Sequence, residues 1–131
     1  TAIGFLSVGV LNLNNMRDEI SDRKSNKNTI VVKIGGVKAK KYHYFLIISA
    51  MFLVVIFAIL NKFNFDQYLF VLAYIPLIKH LIRVHKSQES KALDPELKIV
   101  ALSTFALSIL LAICMISLIQ DIFVNLFMGG R

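Results

Sequence analysis

This chain is poor in cysteine, proline and acid. Its one cysteine in 131 residues, Cys114, excludes an intrachain disulfide and a cysteine-built metal centre, so its mid-helix position points to packing. Of the two prolines, Pro95 suits a helix start and Pro76 is expected to kink the helix around it. The 8 acids are outnumbered by 15 lysines and arginines, giving a net charge of +7. No basic region precedes the apolar first residues, so nothing resembles a signal peptide. The expectation is a segment cut from a longer protein. Internal repeats and low-complexity tracts are also missing.

What the chain has in abundance is apolar length. Hydrophobic residues make up 56% of it, and the mean hydropathy is +0.67. Residues 44–60 and 99–119 carry no charge. As helices they would extend about 26 and 32 Å, against a hydrocarbon core of roughly 30 Å. Residues 67–82 form a shorter candidate, in which Lys79 can extend toward the interface. Residues 1–16 read as the tail of a fourth helix. The fold class expected is therefore all-α, a multi-pass transmembrane bundle of about four helices, near 1–24, 43–61, 66–84 and 97–120.

The charge follows the same plan. Residues 17–43 hold eight of the cations with three acids, while the connection near Lys62 holds one cation. After the third helix come Arg83, Lys86, Lys91 and Lys98. This alternation places 17–43 and 83–98 in the cytoplasm and both chain ends outside. Cations confined to loops between apolar spans fit anionic headgroups or diphosphates, not nucleic acid. Within the first loop, residues 29–34 alternate weakly and read as a short extended piece before Gly35-Gly36. Residues 61–66 read as a tight external turn, and Asp94-Pro95-Glu96 as a helix start.

Where the first apolar segment meets the first basic one, the sequence is Asn14-Asn15-Met16-Arg17-Asp18-Glu19-Ile20-Ser21-Asp22-Arg23-Lys24. Asn15, Asp18 and Asp22 fall at i, i+3 and i+7 and would share one helix face, with Asn12 and Glu19 at its edge. Acids at a helix C-terminus oppose its dipole, so stability alone does not explain them. Two carboxylates four residues apart at a membrane helix's mouth suit Mg²⁺, a hard cation that prefers oxygen. Arg17, Arg23, Lys24 and Lys27 are near enough in sequence to hold a polyanion beside it. A diphosphate clamp at the membrane surface is the first expectation. Asn12 reads as helix packing, and Lys38, Lys40 and Lys41 as headgroup contacts. His80 and His85 read as interface residues, with no carboxylate near enough in sequence to suggest zinc.

The run from Leu11 to Gly35 resembles the second aspartate-rich motif of the UbiA superfamily of intramembrane prenyltransferases, and within it the 1,4-dihydroxy-2-naphthoate branch of menaquinone biosynthesis. Asn14-Asn15, Arg17, Asp18, Asp22, Arg23-Lys24, Lys27, Thr29, Val32 and Gly35 carry the resemblance. It implies that residues 1–131 are the C-terminal portion of one UbiA-type domain in a bacterial inner membrane. It further implies Mg²⁺ on Asp18 and Asp22, with Asn14, Asn15, Arg17, Arg23, Lys24 and Lys27 around the diphosphate of a polyprenyl donor. Metal would neutralise the leaving diphosphate, and an aromatic acceptor, 1,4-dihydroxy-2-naphthoate, would take the prenyl group to give demethylmenaquinone. The family's first motif, of the Asn-Asp-x-x-Asp kind, has no match here, and Asp66, Glu89, Asp94, Glu96 and Asp121 read as isolated acids. The chain is thus expected to be inactive alone.

Two alternatives compete. One keeps the chemistry with another acceptor: 4-hydroxybenzoate, haem, chlorophyllide or a glycerol phosphate lipid. The other is a non-catalytic membrane helix module, whose helices small residues would let approach closely. Membrane lipids are partners under every reading, and the oligomeric state is left open.

Overall fold

The computed structural model describes residues 1–87 and 90–127. Among them there is no strand. The order is α1 (Ala2–Arg17), α2 (Glu19–Lys24), α3 (Ile30–Ile34), α4 (Gly36–Leu60), a 3₁₀ segment (Phe65–Ala73) running into α5 (Tyr74–Lys86), a short 3₁₀ turn (Ser90–Leu93) and α6 (Asp94–Phe127). Three stretches, Gly36–Leu60, Phe65–Lys86 and Ser90–Phe127, are long and apolar enough to cross a membrane. By length and composition this is an all-α membrane protein.

Four details differ from the sequence expectation. The helix expected to run to Lys24 breaks at Asp18, which stands between α1 and α2 (φ −92°, ψ 5°). Residues 29–34 are not extended: the Val32 amide donates to Thr29 Oγ1 at 3.2 Å, which caps α3, and Val31 is buried. Capping and burial there outweigh the strand preference of Ile-Val-Val. Gly35 ends that turn at φ +80°, a conformation that favours glycine. α4 then begins at Gly36, about two turns earlier than expected, because Val-Lys-Ala-Lys-Lys is acceptable helix sequence however basic it looks. Finally, Pro76 does not interrupt a long α-helix. The segment is 3₁₀ up to Ala73, so Pro76 lies in the first turn of α5, where its missing N–H costs little.

The core forms where α1 packs on α4 and α6, and where α6 packs on α5 and its 3₁₀ lead-in. Leu6, Leu13, Ile47, Phe70, Leu77, Val100 and Leu107 are buried at these contacts. Small residues set the spacing: Ala39, Ala50 and Ala58 of α4 are buried, and a Cβ on Gly9 of α1 would stand 2.9 Å from Ile47 Cδ1. Cys114 is buried as well. On the outside, Phe45, Phe52, Leu60, Phe105 and Ile116 are exposed. Apolar surface on both sides of a helix is what a lipid-facing or helix-facing span carries.

Polar ties mark the two ends of the bundle. At one, Asp121 accepts from Gln67 Nε2 at 2.8 Å and from Asn64 Nδ2 at 3.0 Å. At the other, Arg17 reaches Asp94 and Lys40 reaches the Ser87 carbonyl. Arg17 and Lys40 of the first basic segment therefore meet Asp94 and Ser87 of the second at one end of the bundle.

Candidate functional site

Asp18 is the centre of a compact polar cluster. Arg17 Nε donates to Asp18 Oδ1 at 2.8 Å and Arg17 Nη2 to Asp18 Oδ2 at 2.9 Å, a two-toothed guanidinium–carboxylate pair. The same Nη2 donates to Asn14 Oδ1 at 2.9 Å, while Asn14 Nδ2 lies 3.4 Å from Asp18 Oδ2. Arg17 Nη1 reaches Asp94 Oδ1, across 77 positions of sequence, at 3.4 Å. The hydrogen bond from Arg17 holds the Asp18 carboxyl below the usual carboxylate range. Its side chain is still 30% exposed, so a ligand can approach.

Asp22 sits one turn further on in a different setting. The Lys27 ammonium donates to its Oδ1 at 3.2 Å. Its Oδ2 is buried without a partner. An orphaned, buried carboxylate oxygen is costly unless something binds it. The backbone stays nearly helical through the break, since the Asp22 amide donates to the Asp18 carbonyl at 2.8 Å.

The expected residues thus fall into two groups. Asn14, Arg17 and Asp18 are brought together, with Asp94 added. Asp22 and Lys27 form a second pair, and Arg23 is taken up by Glu19 at 3.1 Å. Lys24 is exposed, and Asn15 is half-buried. Asn12 is a packing residue as expected: its Nδ2 donates to the Ala39 carbonyl at 3.1 Å. Lys40, expected at headgroups, is half-buried and donates to the Ser87 carbonyl.

Two carboxylates suit Mg²⁺, which often takes one or two from protein and completes its shell with water and substrate phosphate. The unpartnered Asp22 Oδ2 is an oxygen that could accept such an ion. Among the described residues no group of three or more His, Cys, Asp or Glu gathers as a metal nest.

A second constellation escaped the sequence reading. His80, expected at the interface, is fully buried. Its Nδ1 is 2.7 Å from Glu96 Oε2 and its Nε2 is 2.7 Å from His43 Nε2. Arg83 Nε donates to the other Glu96 oxygen. With Glu96 ionised, His80 Nδ1 donates to it, and the two imidazoles share one proton between their Nε2 atoms. Glu96, Asp94 and Asp121 are therefore not isolated acids; Glu89 lies outside the described residues. No local sequence signal announced this chain of contacts, since an acid in the first turn of a helix, as Glu96 is, also suits the helix dipole.

Over most of its length the chain is similar to two curated proteins. It is 37% identical over 110 residues to the 1,4-dihydroxy-2-naphthoate octaprenyltransferase of Haemophilus influenzae, covering 84% of this chain and 36% of that protein. It is 37% identical over 98 residues to the enzyme of the same name from Escherichia coli K12, covering 75% of this chain and 32% of that one. The chain is a relative of these prenyltransferases. It spans about a third of the length of each. No family profile and no solved structure matches it. The resemblance read from the sequence motif and the similarity across most of the chain agree on the same relatives.

Proposed function

We propose that this chain supplies one half of a metal–diphosphate site in a UbiA-type membrane prenyltransferase. The full-length protein would move a polyprenyl group from its diphosphate to the carboxyl-bearing carbon of 1,4-dihydroxy-2-naphthoate, releasing diphosphate and CO2 and giving the hydroquinone form of demethylmenaquinone. The observation that carries this reading is the 37% identity to two naphthoate octaprenyltransferases over 75–84% of the chain. The Arg17–Asp18–Asn14 cluster and the unpartnered Asp22 oxygen support it from the chemistry.

Asp18 and Asp22 would hold Mg²⁺, which when bound offsets the charge of a departing diphosphate. Arg17 orients Asp18, with its nitrogens shared among Asp18, Asn14 and Asp94; on ligand binding it would trade part of these contacts for phosphate oxygens. Arg23, Lys24 and Lys27 add positive potential at the rim, and Asn14 and Asn15 add neutral donors. The residues 17–43 would face the cytoplasm, where both substrates are charged and soluble at one end. The apolar bundle beneath excludes water from the reacting carbon.

The first aspartate-rich motif would come from sequence outside these 131 residues, so the isolated chain is expected to be inactive. The reading is tested by binding. A non-hydrolysable prenyl diphosphate analogue should bind the full-length protein in nanodiscs with Mg²⁺ and be released by EDTA. Binding indifferent to Mg²⁺, or its absence, would contradict the metal–diphosphate reading. Turnover with 4-hydroxybenzoate but not with the naphthoate would keep the chemistry and change the acceptor.

A further inference from the structure

Beside the Asp18 cluster lies a cavity of about 240 Å³ at the junction of α1, α4 and the turn before α6. Its apolar walls come from Met16, Val37 and Leu93. Its polar lining residues are Glu19 of α2, Lys40 of α4, Ser87 just after α5 and Ser90 of the turn before α6. Met16 and Glu19 flank Arg17–Asp18 in sequence, and Leu93 precedes the Asp94 that Arg17 holds. The cavity and the candidate diphosphate site are immediate neighbours.

Lys40 is an unusual residue for such a wall. One of its three N–H donors goes to the Ser87 carbonyl, and among the described residues it makes no ion pair. A half-buried ammonium with donors to spare favours an anion. Glu19 is anchored as well. Its Oε1 takes Arg23, and its Oε2 presses so closely on the start of α4 that a Cβ on Gly36 would come within 2.9 Å of it. The volume falls below the roughly 300 Å³ at which pockets for drug-sized ligands begin. It is too small for an octaprenyl chain and of a size for one or two fused rings.

We propose that this cavity binds the aromatic carboxylate acceptor, with Lys40 pairing its carboxylate, Glu19 accepting from a ring hydroxyl, and Met16, Val37 and Leu93 gripping the ring faces. The assignment rests on the prenyltransferase reading above and adds to it the acceptor's seat. A lysine and a glutamate lining one apolar-walled cavity select an acid that also carries phenolic hydroxyls. A lipid phosphate offers Lys40 an anion but lacks the flat ring that the apolar walls would grip.

The test is steady-state kinetics of the full-length protein in phosphatidylcholine vesicles, with Lys40→Met and Lys40→Arg. Lys40→Met should raise the KM for 1,4-dihydroxy-2-naphthoate about tenfold or more, the worth of one charge-assisted contact. The KM for prenyl diphosphate should stay as it is, and Lys40→Arg should recover most of the loss. Direct binding of 1,4-naphthalenediol, which lacks the carboxylate, should be the same in wild type and Lys40→Met. An unchanged acceptor KM overturns the proposal. So does an equal loss for the acid and the diol, which would mean a structural role. A shift in the prenyl diphosphate KM, or an effect seen only when phosphatidylglycerol is added, would assign Lys40 to phosphate and also overturn it. If wild type transfers no prenyl group to the naphthoate, the functional reading itself falls, a result separate from any effect of Lys40.

Discussion

Glu96→Leu should be among the most destabilising single changes in this chain, and the size of the loss follows from its surroundings. The carboxylate is 3% exposed and holds His80 Nδ1 at 2.7 Å. Its second partner, Arg83, has a side chain 47% exposed, so that contact contributes like a surface pair, about 0–1 kcal/mol. The His80 contact is of the buried, charge-assisted kind, worth about 1.5–3 kcal/mol, and its loss strands a buried imidazole N–H. Together they put the cost of Glu96→Leu at about 2–4 kcal/mol. His80→Leu should cost a similar amount, because it leaves the buried Glu96 Oε2 without its partner while Arg83 holds only Oε1. Replacing both by leucine removes the stranded partner in each single variant, so the double should cost clearly less than the two singles added. The assay is a double-mutant cycle on the full-length protein, read by SDS-induced unfolding in mixed micelles. Additive losses, or single losses under about 0.5 kcal/mol, would refute the claim that these residues form one coupled unit.

Three other expectations follow from single contacts. Gly9→Ala should be nearly neutral, because the crowded Ile47 Cδ1 is the free end of a side chain and the helix gains about 1 kcal/mol of propensity; Gly9→Leu should cost about 1–3 kcal/mol by overpacking, measured in the same unfolding assay. Asp22→Asn should change stability by less than about 1 kcal/mol, since Lys27 is 59% exposed, yet weaken Mg²⁺-dependent binding of the diphosphate analogue at least tenfold. Asp18 is held below its ordinary pKa, so its stabilisation is present above about pH 4 and is lost as pH falls through the depressed folded value. Arg17→Leu should therefore move the acid limb of analogue binding to higher pH, and an unmoved limb would mean Arg17 does not set the charge of Asp18.

The parts of the structure legible in the sequence were those written locally. Uncharged runs of bilayer length announced the helices around 44–60 and 99–119, and the alternating cation excess correctly paired the loop after α1 with the loop before α6 at one end. Asn14, Arg17 and Asp18 lie within five residues and come together, whereas the face read from the spacing was that of Asn15, Asp18 and Asp22. What stayed hidden depended on distance or on competing local preferences. His43, His80 and Glu96 are separated by 37 and 16 positions, and nothing in each one's neighbourhood announces the others. The 3₁₀ character of Phe65–Ala73 is invisible where nearly every residue is apolar, since no polar residue marks the period. The early start of α4 was masked by lysines that read as loop but are good helix formers. Lys40 illustrates the same point for function: its partner, the Ser87 carbonyl, lies 47 positions away.

The central claim is that Asp18 and Asp22 hold the metal and diphosphate of a prenyl donor. Its most direct test incubates membranes containing the full-length protein with Mg²⁺, labelled octaprenyl diphosphate and 1,4-dihydroxy-2-naphthoate, comparing wild type with Asp18→Asn and Asp22→Asn. The account predicts labelled prenylated naphthoquinone from wild type, and a loss of at least a hundredfold in each variant at unchanged protein level. Full activity in both variants would contradict it.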